Sequence, residues 1–405
     1  MSSICMYVPS AGGGHARYAR DFLTALCAQP KSGYRFELLS SRDLEEEYRS
    51  ELYPVHAQLP PLRHRSEFSS SPQWIASRLM HYIRREMEFL AWLKGRPDVV
   101  AVHLQEWTPW LAAPLIRRIK AMDKKVFATV HNIYPHKYPR LVPKFVIDSW
   151  NRSACRLCDG IFVHTDQLAE RMGHFLGEPH PPIHVLPHGV WTVKDAPEAS
   201  SIERRLALRK LLFFGSIRRN KGLDILLDAM SELRGYGLTI AGEAIEPAYF
   251  REAIVPRIDR LSAAGVNIDL REGFTPEEKI GELFHSHSAV VLPYTSGFVA
   301  QSGVVFMALA YELPVIASEA GGLRDLLAQH KIGVTFGEPA PAQIAAAVNR
   351  LFTEIDPKVL TTEIQAAKRK FSWDDAAAVA IAAYGTANER SVPQDDCALE
   401  TNLAH

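Results

Sequence analysis

Short apolar runs alternate with longer amphipathic stretches along almost the whole chain, and this alternation restricts the fold more than any other feature. A run that stays apolar at consecutive positions has both faces covered, which is the habit of a strand inside a parallel sheet. Parallel neighbours need crossovers long enough for a helix, and the intervening stretches have helical spacing. The pattern predicts an α/β chain with parallel sheets. Strands are expected at Ile4–Val8, Arg35–Leu39, Val99–His103, Lys125–His131, Gly160–Val163 and Ile183–Leu186. A second set is expected at Lys210–Phe214, Leu238–Ala241, Asn267–Arg271, Ala289–Leu292 and Pro314–Ala317.

At 405 residues the chain exceeds one ordinary domain and suits two. Pro187-His188-Gly189 and the polar run Lys194–Arg205 separate the two strand sets. Residues 1–187 are therefore read as a first domain, 188–209 as a linker and 210–370 as a second domain. Residues 54–72, rich in Pro, Ser and Arg, break the regularity before a helix expected near Gln73–Leu93. In that helix Trp74, Ile75, Leu79, Tyr82, Ile83, Met87, Leu90 and Leu93 recur at helical spacing, beside Arg78, Arg84 and Arg85. Such a stripe is either core, the commoner case, or a basic amphipathic surface for anionic lipid. Residues 389–405 are polar and read as a loosely ordered tail.

The 47% hydrophobic and 23% charged residues fall in the range of soluble globular chains. The five cysteines (Cys5, Cys27, Cys155, Cys158 and Cys397) are odd in number and irregular in spacing. With no export leader and no apolar stretch of about 20 residues, a cytoplasmic protein is expected. The net charge of zero hides an asymmetry: residues 1–194 hold 25 Lys and Arg against 18 Asp and Glu, and the rest hold 21 against 28. A basic first half fits an anionic partner, either a phosphate-bearing acceptor or a membrane surface. Chance variation between two soluble domains accounts for it equally well. No nucleic-acid partner is expected.

Four turns are able to meet a ligand. Gly12-Gly13-Gly14-His15 follows the first strand and opens a helix, where backbone amides and the helix dipole favour negative charge. The spacing differs from Gly-x-Gly-x-x-Gly, so NAD is not indicated. Gly215-Ser216-Ile217-Arg218-Arg219-Asn220-Lys221-Gly222 follows another strand; arginine there forks onto phosphate oxygens and lysine supplies a compact charge. Pro293-Tyr294 through Gln301-Ser302-Gly303-Val304 leads into a third helix, with Ser302 expected as its N-cap and the Gly303 and Val304 amides free for a diphosphate. Gly321-Gly322 ends the last expected strand.

These residues resemble a known family. Phe213 through Asp224, Leu238-Thr239-Ile240-Ala241-Gly242, Gly273-Phe274-Thr275, Val291 through Tyr294, and Pro314 through Leu323 are similar to the donor-binding domain of family 4 glycosyltransferases. Gly12-Gly13-Gly14, Thr129-Val130-His131-Asn132, Leu186 through Val190, and Phe371-Ser372-Trp373 fit the same family. The resemblance implies the GT-B fold, two facing Rossmann-like domains with a cleft between them, and a helix over 371–388 that crosses back to the first domain. It implies a hexose-type sugar moved from a nucleotide diphosphate donor to a hydroxyl acceptor, with retention and without a metal. By that likeness Arg218 and Lys221 neutralise the departing diphosphate, and the amides of Gly303 and Val304 complete its cradle with those of Gly13 and Gly14. Gly215 and Gln301-Ser302 belong to the same donor turns, Gly273 and Phe274 border the base, and His131 faces the transferred sugar.

One departure from the family stands out. Its usual pair of glutamates corresponds here to Val299 and Met307, as in a subgroup with Gln-Ser-Gly-Val, which leaves ribose and sugar-ring contacts unassigned. His15 also resembles the histidine of inverting GT-B enzymes, against a plain packing or capping role. His103 and Glu106 are expected to line the acceptor pocket. His285 and His287 are read as surface residues, and Cys155-x-x-Cys158 has no partner pair for a metal. The expected setting is exopolysaccharide, capsule or O-antigen assembly on a lipid-linked acceptor at the inner membrane face. The rivals are an inverting transferase using His15 as base, a non-catalytic nucleotide-sugar binder and a sugar-nucleotide epimerase.

Overall fold

The computed structural model describes residues 1–30, 32–63, 71–134, 142–193, 201–298 and 302–389. Its first sheet contains β1 (Ser2–Val8), β2 (Tyr34–Ser41), β3 (Val55–Leu59), β4 (Val99–Leu104), β5 (Lys125–Thr129), β6 (Gly160–Val163) and β7 (Ile183–Val185). They lie in the order β3-β2-β1-β4-β5-β6-β7, all parallel. From Ser3 to Val8 every residue of β1 is buried, because helices cover both faces of the sheet. Ser71–Lys94, Pro109–Lys120 and Lys144–Leu157 supply apolar residues to one face. Gly13–Ala28 and Trp373–Glu389 supply them to the other.

The second sheet contains β8 (Lys210–Phe214), β9 (Gly237–Gly242), β10 (Ile268–Glu272), β11 (Ala289–Leu292), β12 (Val315–Ser318) and β13 (Gly333–Phe336). Their order is β10-β9-β8-β11-β12-β13, again all parallel. Two Rossmann-like sheets with helices form the α/β fold expected from the sequence.

Strands β3 and β13 were not expected. Both are edge strands and only partly buried, so neither shows a continuous apolar run. Strand β5 stops at Thr129, which leaves His131 in the turn beyond it. Within the segment read as a linker, residues 202–207 form a helix, capped by Ser201 accepting from the Arg204 amide at 3.3 Å. Its Arg205 is buried and donates to the carbonyls of Tyr311, at 2.8 Å, and Glu312, so this helix packs on the second domain. Residues 194–200 lie outside the described residues.

The Ser71–Lys94 helix divides the two readings of its stripe. Arg85, Glu86, Phe89 and Leu93 are buried, and Arg85 donates to Glu86 at 2.6 Å and to Thr108 at 2.9 Å. Ile75, Leu79, Met80 and Met87 are 46–63% exposed, so the first part of the stripe is not core. His287 is buried with Nδ1 on the Leu283 carbonyl, and His285 is partly buried against Tyr311; neither is the surface residue expected. Among the described residues no helix is long and apolar enough to cross a membrane.

The chain crosses back at Phe371-Ser372-Trp373. Val190 N–H donates to the Phe371 carbonyl at 2.9 Å, and Trp373 Nε1 donates to the Val190 carbonyl at 2.8 Å. A Cβ on Gly189 would stand 2.2 Å from the Trp373 ring, so only glycine admits this contact. The Trp373–Glu389 helix then packs on Gly13–Ala28, and its Tyr384 reaches His103 beneath the first sheet.

Candidate active site

In an open parallel sheet, the loops leaving the strands where the order reverses diverge and leave a crevice. The reversal falls between β1 and β4 in the first sheet and between β8 and β11 in the second. The first crevice lies between Pro9–Gly14 and Gln105–Glu106, tied by the Ser10 hydroxyl donating to Glu106 at 2.7 Å. The second lies between Gly215–Gly222 and Pro293–Phe298, tied by the Thr295 amide donating to the Asn220 carbonyl at 3.1 Å. Contacts between the domains bring the two together. Trp191 Nε1 donates to the Gly303 carbonyl at 2.8 Å, and Arg17 and Arg20 both reach Glu277 at 3.1 Å. Both crevices therefore open on one interdomain cleft.

On the second-domain side, Gly215 (φ +107°) and Gly222 (φ +66°) bend the turn into the left-handed region. A Cβ on Gly222 would lie 1.9 Å from the Pro293 carbonyl oxygen, so the two loops touch through backbone. Lys221 is partly buried, its Nζ 3.6 Å from the Tyr294 ring centroid and 4.2 Å from that of Phe298. Burial first, and then the charge of Arg218, push its amine well below the usual lysine range. Neither cation has a carboxylate partner among the described residues, and Arg218 Nε is buried without an acceptor. Two unpaired cations side by side destabilise a site until an anion completes it.

Ser302 was expected to cap its helix, but its hydroxyl pairs with the buried Tyr294 hydroxyl at 3.1 Å and makes no cap bond. Tyr294 needs a partner once buried, and the helix end is the nearer loser. Among the described residues the amides of Gly303 and Val304 consequently find no acceptor. Val304 stands 3.6 Å from where a Cβ on Gly215 would be, so these donor turns adjoin. Gly273 (φ +123°) and the 58% exposed Phe274 follow β10. Gln301 and Val299 lie outside the described residues; Met307 is buried.

On the first-domain side, Gly13 (φ +76°) and Gly14 open the helix, and a Cβ on either would meet nothing within 4 Å. Their surroundings are open. His15 is partly buried, makes no hydrogen bond among the described residues and rests its ring edge on His131, centroids 4.9 Å apart. His131 has both ring nitrogens engaged, Nε2 with the Gln105 amide at 3.0 Å and Nδ1 with His164 Nε2 at 2.9 Å. His164 continues to the Leu186 carbonyl at 3.0 Å. Burial holds His131 well below the usual imidazole range, His164 at about 4, and His103 and His188 at about 3.

His103 does not line an acceptor pocket. It is fully buried between Tyr384, at 2.6 Å, and Thr129, at 2.7 Å, because its position in β4 faces the crossing helix. Glu106 remains at the crevice, accepting from Ser10. Cys155 and Cys158 are buried free thiols, raised by burial, Cys155 to about 12. No group of three His, Cys, Asp or Glu among the described residues is arranged to hold a metal ion.

Gln105, His164 and His188 were not singled out from sequence. A signal existed: His103, His131, His164 and His188 stand at or just beyond the ends of β4, β5, β6 and β7, one per strand. Four consecutive parallel strands place those positions along one sheet edge.

Residues 12–193 match the family model of Glycosyltransferase Family 4, and residues 209–354 match that of Glycosyl transferases group 1. The D-inositol 3-phosphate glycosyltransferase of Xylanimonas cellulosilytica is 26% identical over 73% of this chain and 74% of its own length. The structure of sucrose-phosphate synthase from Thermosynechococcus elongatus superposes with a TM-score of 0.71 and 17% identity, covering 96% of this chain and 100% of that one. Anabaena HepE, in complex with UDP-glucose, gives 0.65 and 15%, covering 95% of this chain and 100% of that one.

Proposed function

We propose that this chain, a glycosyltransferase of the family 4 and group 1 type, moves a hexose-type sugar from a nucleotide diphosphate donor to a hydroxyl acceptor. The observation that carries the reading is the pair Arg218 and Lys221, adjoining, partly desolvated and without a carboxylate partner among the described residues. Sugar transfer leaves negative charge on the departing diphosphate, and fixed cations there stabilise the transition state more than the ground state. The amides of Gly303 and Val304, without an acceptor among the described residues, add donors on the same side. Gly273 and Phe274 border the base, and the UDP-glucose bound by Anabaena HepE supports a donor of that class.

The acceptor hydroxyl attacks the anomeric carbon, the bond to the diphosphate breaks, and the leaving phosphate oxygen accepts the hydroxyl proton. This route retains configuration and assigns no step to a metal. The test is a panel of UDP-, GDP-, TDP- and ADP-sugars assayed for stabilisation and slow hydrolysis beside a Lys221→Ala variant. One donor should stabilise the protein and turn over, with turnover lost in the variant. Absence of binding by every donor sinks the proposal.

The acceptor is proposed to be lipid-linked, in cell-surface polysaccharide assembly. Ile75, Leu79, Met80 and Met87 lie exposed on one helix that also bears Arg78 and Arg84, an arrangement suited to an anionic bilayer surface. Binding to anionic liposomes at low salt should weaken in Leu79→Ser/Met80→Ser while activity on soluble acceptors persists; no liposome binding by the parent chain refutes the lipid reading.

A second reading, inversion with His15 as base, is favoured by one contrast: both nitrogens of His131 are engaged, whereas His15 makes no hydrogen bond among the described residues. Product stereochemistry by NMR separates the two, and full activity in His15→Ala removes the second.

A further inference from the structure

A line of hydrogen bonds runs from the crossing helix to the strand ends. Tyr384 meets His103 Nδ1 at 2.6 Å, and His103 Nε2 meets Thr129 at 2.7 Å. The Gln105 amide lies between Thr129, at 3.3 Å, and His131 Nε2, at 3.0 Å. His131 Nδ1 meets His164 Nε2 at 2.9 Å, and His164 Nδ1 meets the Leu186 carbonyl at 3.0 Å.

The direction of the line follows from its last member. A carbonyl only accepts, so His164 donates from Nδ1, and as a neutral ring it accepts at Nε2. His131 then donates from Nδ1, and its own Nε2 has to accept. Gln105 supplies that proton when its NH₂ faces His131 and its oxygen faces Thr129. The Thr129 hydroxyl donates to that oxygen and accepts from His103 Nε2–H, and His103 Nδ1 accepts from Tyr384. Each hydrogen bond of the line then joins one donor to one acceptor. The opposite amide orientation sets two lone pairs against each other at 3.0 Å and gains a weak N–H···S contact with Met6 at 3.8 Å. The first arrangement wins, because an unsatisfied buried acceptor outweighs a weak thioether contact.

We propose that Gln105, oriented by Thr129, His103 and Tyr384, is a positioning residue that fills Nε2 of His131 and fixes its ring, while His164 on the Leu186 carbonyl sets the Nδ1–H tautomer. The functional part rests on the reading that His131 faces the transferred sugar. Glycosyl transfer builds positive charge on the sugar ring in the transition state. An imidazole fixed without a proton on its second nitrogen adds no repulsion there, while Arg218 keeps its positive charge at the leaving group and an arriving diphosphate favours the charged form of Lys221. The crossing helix thereby contributes to the site through Tyr384 without touching substrate.

The test is ¹⁵N-histidine NMR on the full chain without donor, joined to kinetics. The parent His131 should be a single Nδ1–H tautomer between about pH 5 and 8. Gln105→Met should keep the Nδ1–H tautomer that His164 sets, but move the His131 Nε2 resonance to that of an unbonded nitrogen and lower kcat by about tenfold, with the KM for donor close to the parent value. Thr129→Val should resemble it, and Thr129→Ser should restore both signals, which keeps the test decisive if Gln105→Met does not fold. An Nε2–H or cationic His131 in the parent overturns the lock. The derived tautomer with kcat unchanged in Gln105→Met and Thr129→Val overturns the positioning role, and the Lys221→Ala comparison then shows separately whether the donor reading stands.

Discussion

The edge of the first sheet holds His103, His131 and His164 with their ring nitrogens bonded to one another or to buried neighbours, whereas the edge of the second holds Arg218 and Lys221 without carboxylate partners among the described residues. The glycines differ in the same sense. Gly222 and Gly242 are pressed against backbone, with Cβ positions 1.9 Å from a carbonyl oxygen, while Gly13 and Gly14 face open space. On one edge these three histidines are paired with one another or with buried neighbours. The other stores unsatisfied charge and close backbone approach, which favour an anionic ligand. A sugar poised between them would meet neutral, fixed rings on one side and cationic groups at its leaving group on the other.

Acid should break the comparison most strongly. The folded pKa values of His103 and His188, about 3, and of His164, about 4, lie below the unfolded value of about 6.5. The unfolded chain therefore binds more protons as pH falls below about 6.5, and stability is lost in that direction. At pH 5 each of the three gives up about 2 kcal/mol, roughly 6 kcal/mol together, with His131 adding to it. Hydrogen exchange at pH 5 and pH 7 should show the first sheet losing protection before the second; equal loss would erase the distinction.

Next in size is Gly222→Ala. The new Cβ would strike the Pro293 carbonyl at a left-handed φ, so a loss of about 3 kcal/mol or more is expected in thermal or denaturant unfolding. Lys221→Ala should reduce kcat/KM by about 100-fold or more while stability holds or rises, since the repulsion by Arg218 is relieved. A destabilised Lys221→Ala protein would mean that this cation is structural. Smallest is Gly14→Ala, expected within about 0.5 kcal/mol of the parent by unfolding, because its side chain meets nothing within 4 Å.

Much of this was legible beforehand, for stated reasons. Strands β1, β4, β8 and β11 announce themselves because both of their faces are covered, which demands continuous apolar runs. The edge strands β3 and β13 carry no such demand and were missed. That Gly13, Gly215 and Gly222 stand at strand-to-helix turns was readable too, because left-handed backbone calls for glycine. The side-chain cap assigned to Ser302 and the pocket position assigned to His103 were not, because each depends on which tyrosine reaches the group first, Tyr294 only 8 positions from Ser302 and Tyr384 281 positions from His103.

Taken alone, the sequence determined the parallel α/β class, the alternation of its elements and the turns at which backbone and cations gather, because these follow from local periodicity and residue chemistry. Only the tertiary structure decided which groups are satisfied and which are left free. Tyr384 and His103 are 281 positions apart, and Arg20 and Glu277 are 257. Hydrogen-bond partnership over such separations is set by how helices pack on sheets, and nothing in the local pattern encodes it.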